Sequence, residues 1–415
     1  MQHVHLNDVA YRGPRVPVVV VCIDGGDPAY LERGVAEGLL PTVERFQREG
    51  FGALAQGTMP SFTCPNNISI ITGAPPAVHG ISGNFYLTEA GEAVVMTGPE
   101  LMRSRTILAQ FADAGASVVS ITAKDKLRRQ LGKDLDLARG SVSFSAEFAD
   151  QCTLAENGIE NVLELAGMAQ PDMYSGELSL FVLEAGIQLL RRRRPDLMYL
   201  SLTDYIQHKH APGDPAANAF YARLDDCFGR LEALGAVVAL IADHGMNDKS
   251  LPDGRPNVIF LQDLLDRAFG AGDTRVICPI TDAFVRHHGA LGGFVRVWCR
   301  GGRATPGAII ALAGRLPGVD LALDRRETCR RVQLPPDREG DVAVLADART
   351  VIGAREADHD LAQLAGHRLR SHGALSEARV PFLLSRPLSA EYRGRAAAGL
   401  RSHQIFEYAL NAVEA

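Results

Sequence analysis

Five continuous apolar runs cross the chain, each closing on polar or glycine residues: VPVVVVCIDGGD from Val16, ASVVSITAKDK from Ala116, DLMYLSLTDY from Asp196, AVVALIADHG from Ala236 and RVPFLLS from Arg379. Unbroken β-branched runs of this length suit parallel strands buried on both faces rather than half-exposed ones. Between them the spacing changes to a helical period, as in LLPTVERFQREG from Leu39 and FYARLDDCFGRLEALG from Phe220. Alternation of the two patterns predicts an α/β fold with a doubly wound, mostly parallel sheet. In such sheets ligands collect at the carboxyl ends of the strands.

From about Asn257 to Gly366 the texture is different. FVRVWCRGG, GDVAVLAD and RRVQL read as shorter strands, with TPGAIIALAGRL as a helix among them. The expected organisation is a catalytic core of residues 1–256 and 367–415 interrupted by a smaller α+β cap, 257–366. The chain re-enters the core near GHRLRSHGALSE, and no internal repeat or low-complexity tract is present.

Composition narrows the function classes. A net charge of −6 over 415 residues offers no basic face for nucleic acid. The run Arg191–Arg194 stands before Pro195 and reads as a solvated, cationic helix end. Seven cysteines, with no C-x-x-C pair, argue against a disulfide framework or zinc ribbon and for a reducing cytoplasm. The polar start MQHVHLNDVAYRGPR lacks the apolar stretch of an export signal, and no run is long enough to span a bilayer. Neither a membrane nor a nucleic acid is expected as a partner.

Candidate chemistry lies at the strand ends. The first run delivers Asp24, the third Asp204 and then His208 four residues on, and the fourth the adjacent pair Asp243 and His244; His372 follows late in the chain. An aspartate after a strand is commonly a helix cap, and an isolated histidine is commonly structural. Three of each gathered at strand ends instead match the donor demand of neighbouring metal ions, for which carboxylate and imidazole suit zinc. A second dense polar stretch is GTMPSFTCPNNISIITG, Gly57–Gly73, where Thr63, Cys64, Asn66 and Asn67 precede an apolar run. Cys64 reads as a small packed residue.

The order D…T…D-x-x-x-H…D-H…H resembles that of the alkaline phosphatase superfamily. The stretch TCPNNISIITGAPPAVHGISGN is similar to its nucleotide pyrophosphatase/phosphodiesterase branch. The resemblance implies two zinc ions per chain: one on Asp204, His208 and His372, the other on Asp24, Asp243, His244 and the hydroxyl of Thr63. It further implies Thr63 as nucleophile or metal-held hydroxyl and Asn84 as an amide donor to a phosphoryl oxygen. His79 is expected to pack structurally, and Asn66 to cap the helix behind Thr63.

TAKDKLR, DYIQHKHAPG, HHGALGGF and SHGALSE together resemble the phosphonoacetate hydrolases, over nearly the whole chain. That implies metal-dependent hydrolysis of the P–C bond of phosphonoacetate, with Lys124 and Lys126 holding the substrate carboxylate. His208 and His372 would also border the substrate, and Arg286, His287 and His288 would reach it from the cap. The alternative is a phosphodiesterase or nucleotide pyrophosphatase using the same metals; a non-catalytic metal-binding protein and a phosphomutase rank lower. The chain has one tryptophan and 6% aromatic residues, which favours a small anion over a nucleobase slot. Manganese and iron fit the same donors. A homodimer is the candidate assembly.

Overall fold

The computed structural model of the chain describes residues 3–280, 289–364 and 367–413. Arg286, His287 and His288 fall outside these residues. Eleven strands position the site or frame its approach: β1 Val18–Cys22, β2 Phe51–Gln56, β3 Val118–Thr122, β4 Val142–Ser145, β5 Leu197–Ser201, β6 Val237–Ile241, β7 Thr274–Ile277, β8 Phe294–Cys299, β9 Val319–Asp324, β10 Val342–Ala346 and β11 Arg379–Leu384.

Seven of them form the central sheet, in the order β2-β11-β6-β1-β5-β3-β4. The pairs β6/β1, β1/β5, β5/β3 and β3/β4 are parallel, whereas β11 runs antiparallel to both β6 and β2. The alternation along β1 shows why its sequence is apolar throughout. Val19, Val21 and Ile23 enter one core, and Val18, Val20 and Cys22 enter the other. The first core is completed by the helices α3 Glu177–Arg193 and α5 Pro215–Ala233. The opposite face receives α1 Thr63–Thr72 and α2 Ile107–Asp113. A sheet sealed on both sides needs apolar residues at consecutive positions, as the five runs predict.

All five predicted strands are present, but RVPFLLS is the antiparallel β11 rather than a parallel strand. The chain arrives there at the carboxyl edge of the sheet, directly after His372, without a crossover helix to carry it to the other edge. It can only run back. β2 and β4, which are less uniformly apolar, are absent from the sequence-level prediction.

A second sheet, β7-β8-β10-β9, is antiparallel throughout. It carries the predicted FVRVWCRGG and GDVAVLAD strands, and TPGAIIALAGRL forms the expected helix, Pro306–Ala313. RRVQL is not a strand. It closes the helix Arg325–Val332, which starts where Asp324 accepts from the Glu327 amide and ends with Gln333 at φ 55°. Capping and the lack of alternation override the β-branched valine there. The core of this sheet includes Met59 and Phe62, so the segment leading into Thr63 is anchored in the second core.

Arg191–Arg193 form the last turn of α3, and Arg194 ends it at φ 47°. Among the described residues, which include all seven cysteines, no disulfide is formed. Among the described residues no helix is long and apolar enough to cross a membrane.

Candidate active site

Neighbouring strands in a sheet lie about 4.8 Å apart. Because β6, β1 and β5 are adjacent and parallel, the residues just beyond their carboxyl ends emerge side by side. Those residues are Asp243, Asp24 and Asp204, all buried. Gly25 follows Asp24 at φ +65°, where a Cβ would sit 3.1 Å from that of Asp204. Glycine is therefore required both for the turn and for the close approach of the two carboxylates.

Asp204 occupies the N-cap position of the one-turn helix α4, Tyr205–Lys209, yet its side chain makes no capping bond. It faces inward, and Oδ2 lies 2.8 Å from His208 Nε2 one turn along. The spacing D-x-x-x-H thus places both groups on one side of α4.

The three histidines share one arrangement. Nδ1 lies 2.8 Å from the Arg370 carbonyl in His208, 2.9 Å from the Gly245 carbonyl in His244, and 2.7 Å from the Ser61 carbonyl in His372. A carbonyl only accepts, so each Nδ1 carries a proton, which leaves Nε2 as the ring nitrogen that can face the carboxylates. This is the tautomer that metal-ligating imidazoles adopt. The His244 and His372 rings stack with centroids 3.6 Å apart.

Ligand atoms of Asp204, His208 and His372 lie within 4.8 Å of one another, as do those of Asp24, Asp204 and His244. The two groups overlap the donor sets implied by the family resemblance, with two differences: Asp204 reaches into both, and Asp243 is not in the second. Asp204 does so because it follows β5, which lies next to β1 and Asp24. Asp243 lies beside the second group, with Oδ2 3.7 Å from His244 Nε2. Its Oδ1 accepts from the amides of Gly25 at 3.2 Å and His244 at 2.9 Å.

The electrostatics fit a cation. Burial, and next the charge of Asp24, push the Asp243 carboxyl well above the usual carboxylate range. Burial pulls the His244 imidazolium down, but the carboxylates of Asp243, Asp24 and Asp204 outweigh it and lift its pKa to about 10. Burial, with the charges of His244 and His208, holds His372 well below its ordinary value. Protons are a poor substitute for a divalent ion among three enclosed carboxylates.

Thr63 opens α1 and its hydroxyl meets this cluster, 3.2 Å from His244 Nε2 and 3.4 Å from Asp24 Oδ1. It therefore stands at the positive end of a ten-residue helix. Asn66 does not cap that helix. Lying inside it, the side chain accepts from the Thr58 amide and donates to the carbonyls of Thr58, Pro60 and Phe62, fastening the incoming loop. His79 packs as expected, with Nε2 2.9 Å from Ser69 Oγ. Cys64 is buried, its thiol 3.0 Å from Gln130 Oε1.

Thr63, His372, Asn84, Lys124 and Lys126 line one cavity. Lys124 lies at the end of β3, with Nζ 3.9 Å from Asp204 Oδ1. The Asn84 side-chain amide donates to the Ile280 carbonyl at 2.7 Å. The cavity thus combines carboxylate, imidazole and hydroxyl groups with two lysines, one of them beside the donor cluster.

The geometry adds Asn67 to the site. Its amide donates to Asp243 Oδ2 at 3.1 Å, while its carbonyl oxygen accepts from Tyr199 at 2.7 Å and Ser201 at 2.9 Å. The signal was available in sequence, since Asn67 lies four residues after Thr63 on the same helix face. Met173 and Tyr174, which also line the cavity, carry no such signal.

The family profile of type I phosphodiesterase / nucleotide pyrophosphatase matches residues 18–358, and the chain belongs to that family. Its fold is that of the alkaline phosphatase superfamily. Phosphonoacetate hydrolase from Sinorhizobium meliloti, solved in complex with phosphonoformate and with phosphonoacetate, is 46% identical, with a TM-score of 0.93 over 99% of this chain and 98% of that one. Murine ectonucleotide pyrophosphatase/phosphodiesterase 5, solved in complex with AMP, shares the fold at a TM-score of 0.63 and 16% identity over 96% of each chain. An uncharacterized pyrophosphatase/phosphodiesterase of Schizosaccharomyces pombe is 25% identical over 253 residues, 59% of this chain and 44% of that relative's length.

Proposed function

We propose that the protein hydrolyses the P–C bond of phosphonoacetate to acetate and phosphate, at a centre of two zinc ions. The observation that carries it is one cavity that brings together a cluster of metal donors, the Thr63 hydroxyl and two lysines. His208, His244 and His372 each have Nδ1 fixed on a carbonyl, and Thr63, His372, Lys124 and Lys126 line the same cavity. A phosphonate held on the metals, with its carboxylate one carbon away, would meet two kinds of cation there. The relative solved with phosphonoacetate supports this substrate.

Asp24, Asp243, His244 and Thr63 would hold one ion, and Asp204, His208 and His372 the other, with Asp204 adjoining both. Imidazole and carboxylate donors without thiolate suit zinc. When bound, the ions would act as Lewis acids on the phosphonate oxygens and lower the pKa of the attacking hydroxyl.

Thr63 Oγ1 attacks phosphorus, with the N-terminus of α1 favouring negative charge there. Asn84 donates an amide hydrogen to a phosphonate oxygen. As the O–P bond forms and the P–C bond breaks, the electron pair moves onto the methylene carbon and into the carboxylate as an enediolate. Lys124 and Lys126 stabilise that charge in a partly enclosed site. Protonation at carbon gives acetate, and water then cleaves the threonine ester, returning phosphate and the hydroxyl.

Residues 257–366 would serve in this scheme as an inserted cap, from which Arg286 and His288 would reach the substrate. Seven cysteines without a disulfide suit a reducing, cytoplasmic location. The test is release of acetate and phosphate in equal amounts from phosphonoacetate by the purified protein. Turnover should vanish on chelation and return with zinc. Release of nitrophenol from a diester, with none of acetate from phosphonoacetate, would assign it to the phosphodiesterases instead.

A further inference from the structure

The geometry points to Arg296 as a positioning residue for Asn84, acting through a fully buried ion pair where the second sheet meets the loop His79–Asn84. This rests on the proposed contact of Asn84 with the phosphonate and adds what holds that amide in place. Arg296, on β8, and Glu339 are both fully buried, with Nε 2.9 Å from each carboxylate oxygen. Two charges sealed from water contribute little net stability against an apolar pair of similar size. Fixing a register is the better-attested use of such a pair.

What they fix is specific. Arg296 Nη2 donates to the Ser82 carbonyl at 2.8 Å, two residues before Asn84. The neighbouring Arg338 donates to the Gly80 carbonyl at 2.7 Å. Asn84 itself donates from its backbone to Pro279 O at 2.8 Å and from its side chain to Ile280 O at 2.7 Å, both just beyond β7. Residues 80, 82 and 84 are therefore gripped in alternation from the second-sheet side. The Arg338 guanidinium then lies over the Tyr86 ring, 5.4 Å from its centre. Gly83 lies between two gripped residues, and a Cβ there would approach Pro279 Cβ to 2.9 Å. The amide is thus held from the side of the second sheet, where Arg296 couples its buried ion pair to this loop.

A double-variant cycle tests this. Arg296→Met is combined with Glu339→Gln so that no carboxylate is left buried alone, and the pair is built with and without Asn84→Ala. Removing a hydrogen-bond donor to developing charge costs about 100-fold in turnover, so Asn84→Ala should do so on phosphonoacetate. The pair variant should lose about tenfold or more in kcat at unchanged zinc content, and nothing further in the Asn84→Ala background. Equal losses in both backgrounds, or none in either, overturn the positioning role. Should the pair variant not fold, Arg296→Lys is carried through the same cycle, since it keeps the charge but not the forked geometry. Full activity of Asn84→Ala would instead remove Asn84 from the reaction, and the role of Arg296 with it.

Discussion

An imidazole bound through Nδ1 to a carbonyl has one direction left in which to coordinate, and three such rings define the centre more tightly than their sequence spacing does. The same logic applies to Asn67, whose amide holds Asp243 while Tyr199 and Ser201 hold Asn67. Groups behind a ligand commonly govern metal affinity by about 10–100-fold. Asn67→Ala should therefore weaken zinc binding by that factor in a competition titration with a chromophoric chelator, and excess zinc should restore most turnover. Lys124 and Lys126 make a separate case, because in the proposed mechanism they address the leaving group. Alanine at either should lower kcat on phosphonoacetate by about 100-fold while zinc content stays unchanged. Wild-type turnover in both variants would remove the carboxylate assignment. At this scale the sequence was highly informative. Strand-end aspartates and the D-x-x-x-H spacing picked out side chains that the structure gathers, whereas the hydrogen bonds of Asn66 and the sharing of Asp204 depend on side-chain directions that spacing alone does not determine.

The elements depend on short polar contacts between them as well as on apolar faces. His79 ends a four-residue helix, accepts from the Ile81 amide on Nδ1 and bonds Ser69 of α1 through Nε2. Burial, followed by the charges of His403 and Arg338, lowers its pKa to about 3. In the unfolded chain the same ring titrates near 6.5. Above pH 6.5 both states are neutral at this residue and its contribution is constant. As pH falls from about 6.5 toward 3, only the unfolded chain gains the proton, so folding stability is lost by about 1.4 kcal/mol per pH unit from this ring. Urea unfolding at a series of pH values should show that slope, and His79→Gln should flatten it by the same amount. Uniform apolar runs were the most legible elements. β2 is an edge strand with partly exposed residues, and RRVQL belongs to a capped helix, so neither offered a clean period.

At the scale of the whole molecule, the parallel order of β6, β1, β5 and β3 gathers Asp243, Asp24, Asp204 and Lys124 along one edge. Alternating patterns of strand and helix predicted that edge, since a doubly wound sheet has its ligand side at the carboxyl ends. The reversed direction of β11 was not legible, because an apolar run looks the same whichever way it enters a sheet. The second sheet was visible as a change of texture, but its grip on residues 80–84 was not, since Arg296 and Glu339 stand 43 positions apart.

The placement of β11 between β2 and β6 has a consequence for biosynthesis. A nascent polypeptide leaving the ribosome has β2 long before the strand that must join it to the rest of the sheet, and His372 emerges only just ahead of that strand. Until Arg379–Leu384 is available, the central layer has a gap between β2 and β6, and the proposed metal centre lacks His372. Metal loading at that centre is therefore expected among the last events of maturation.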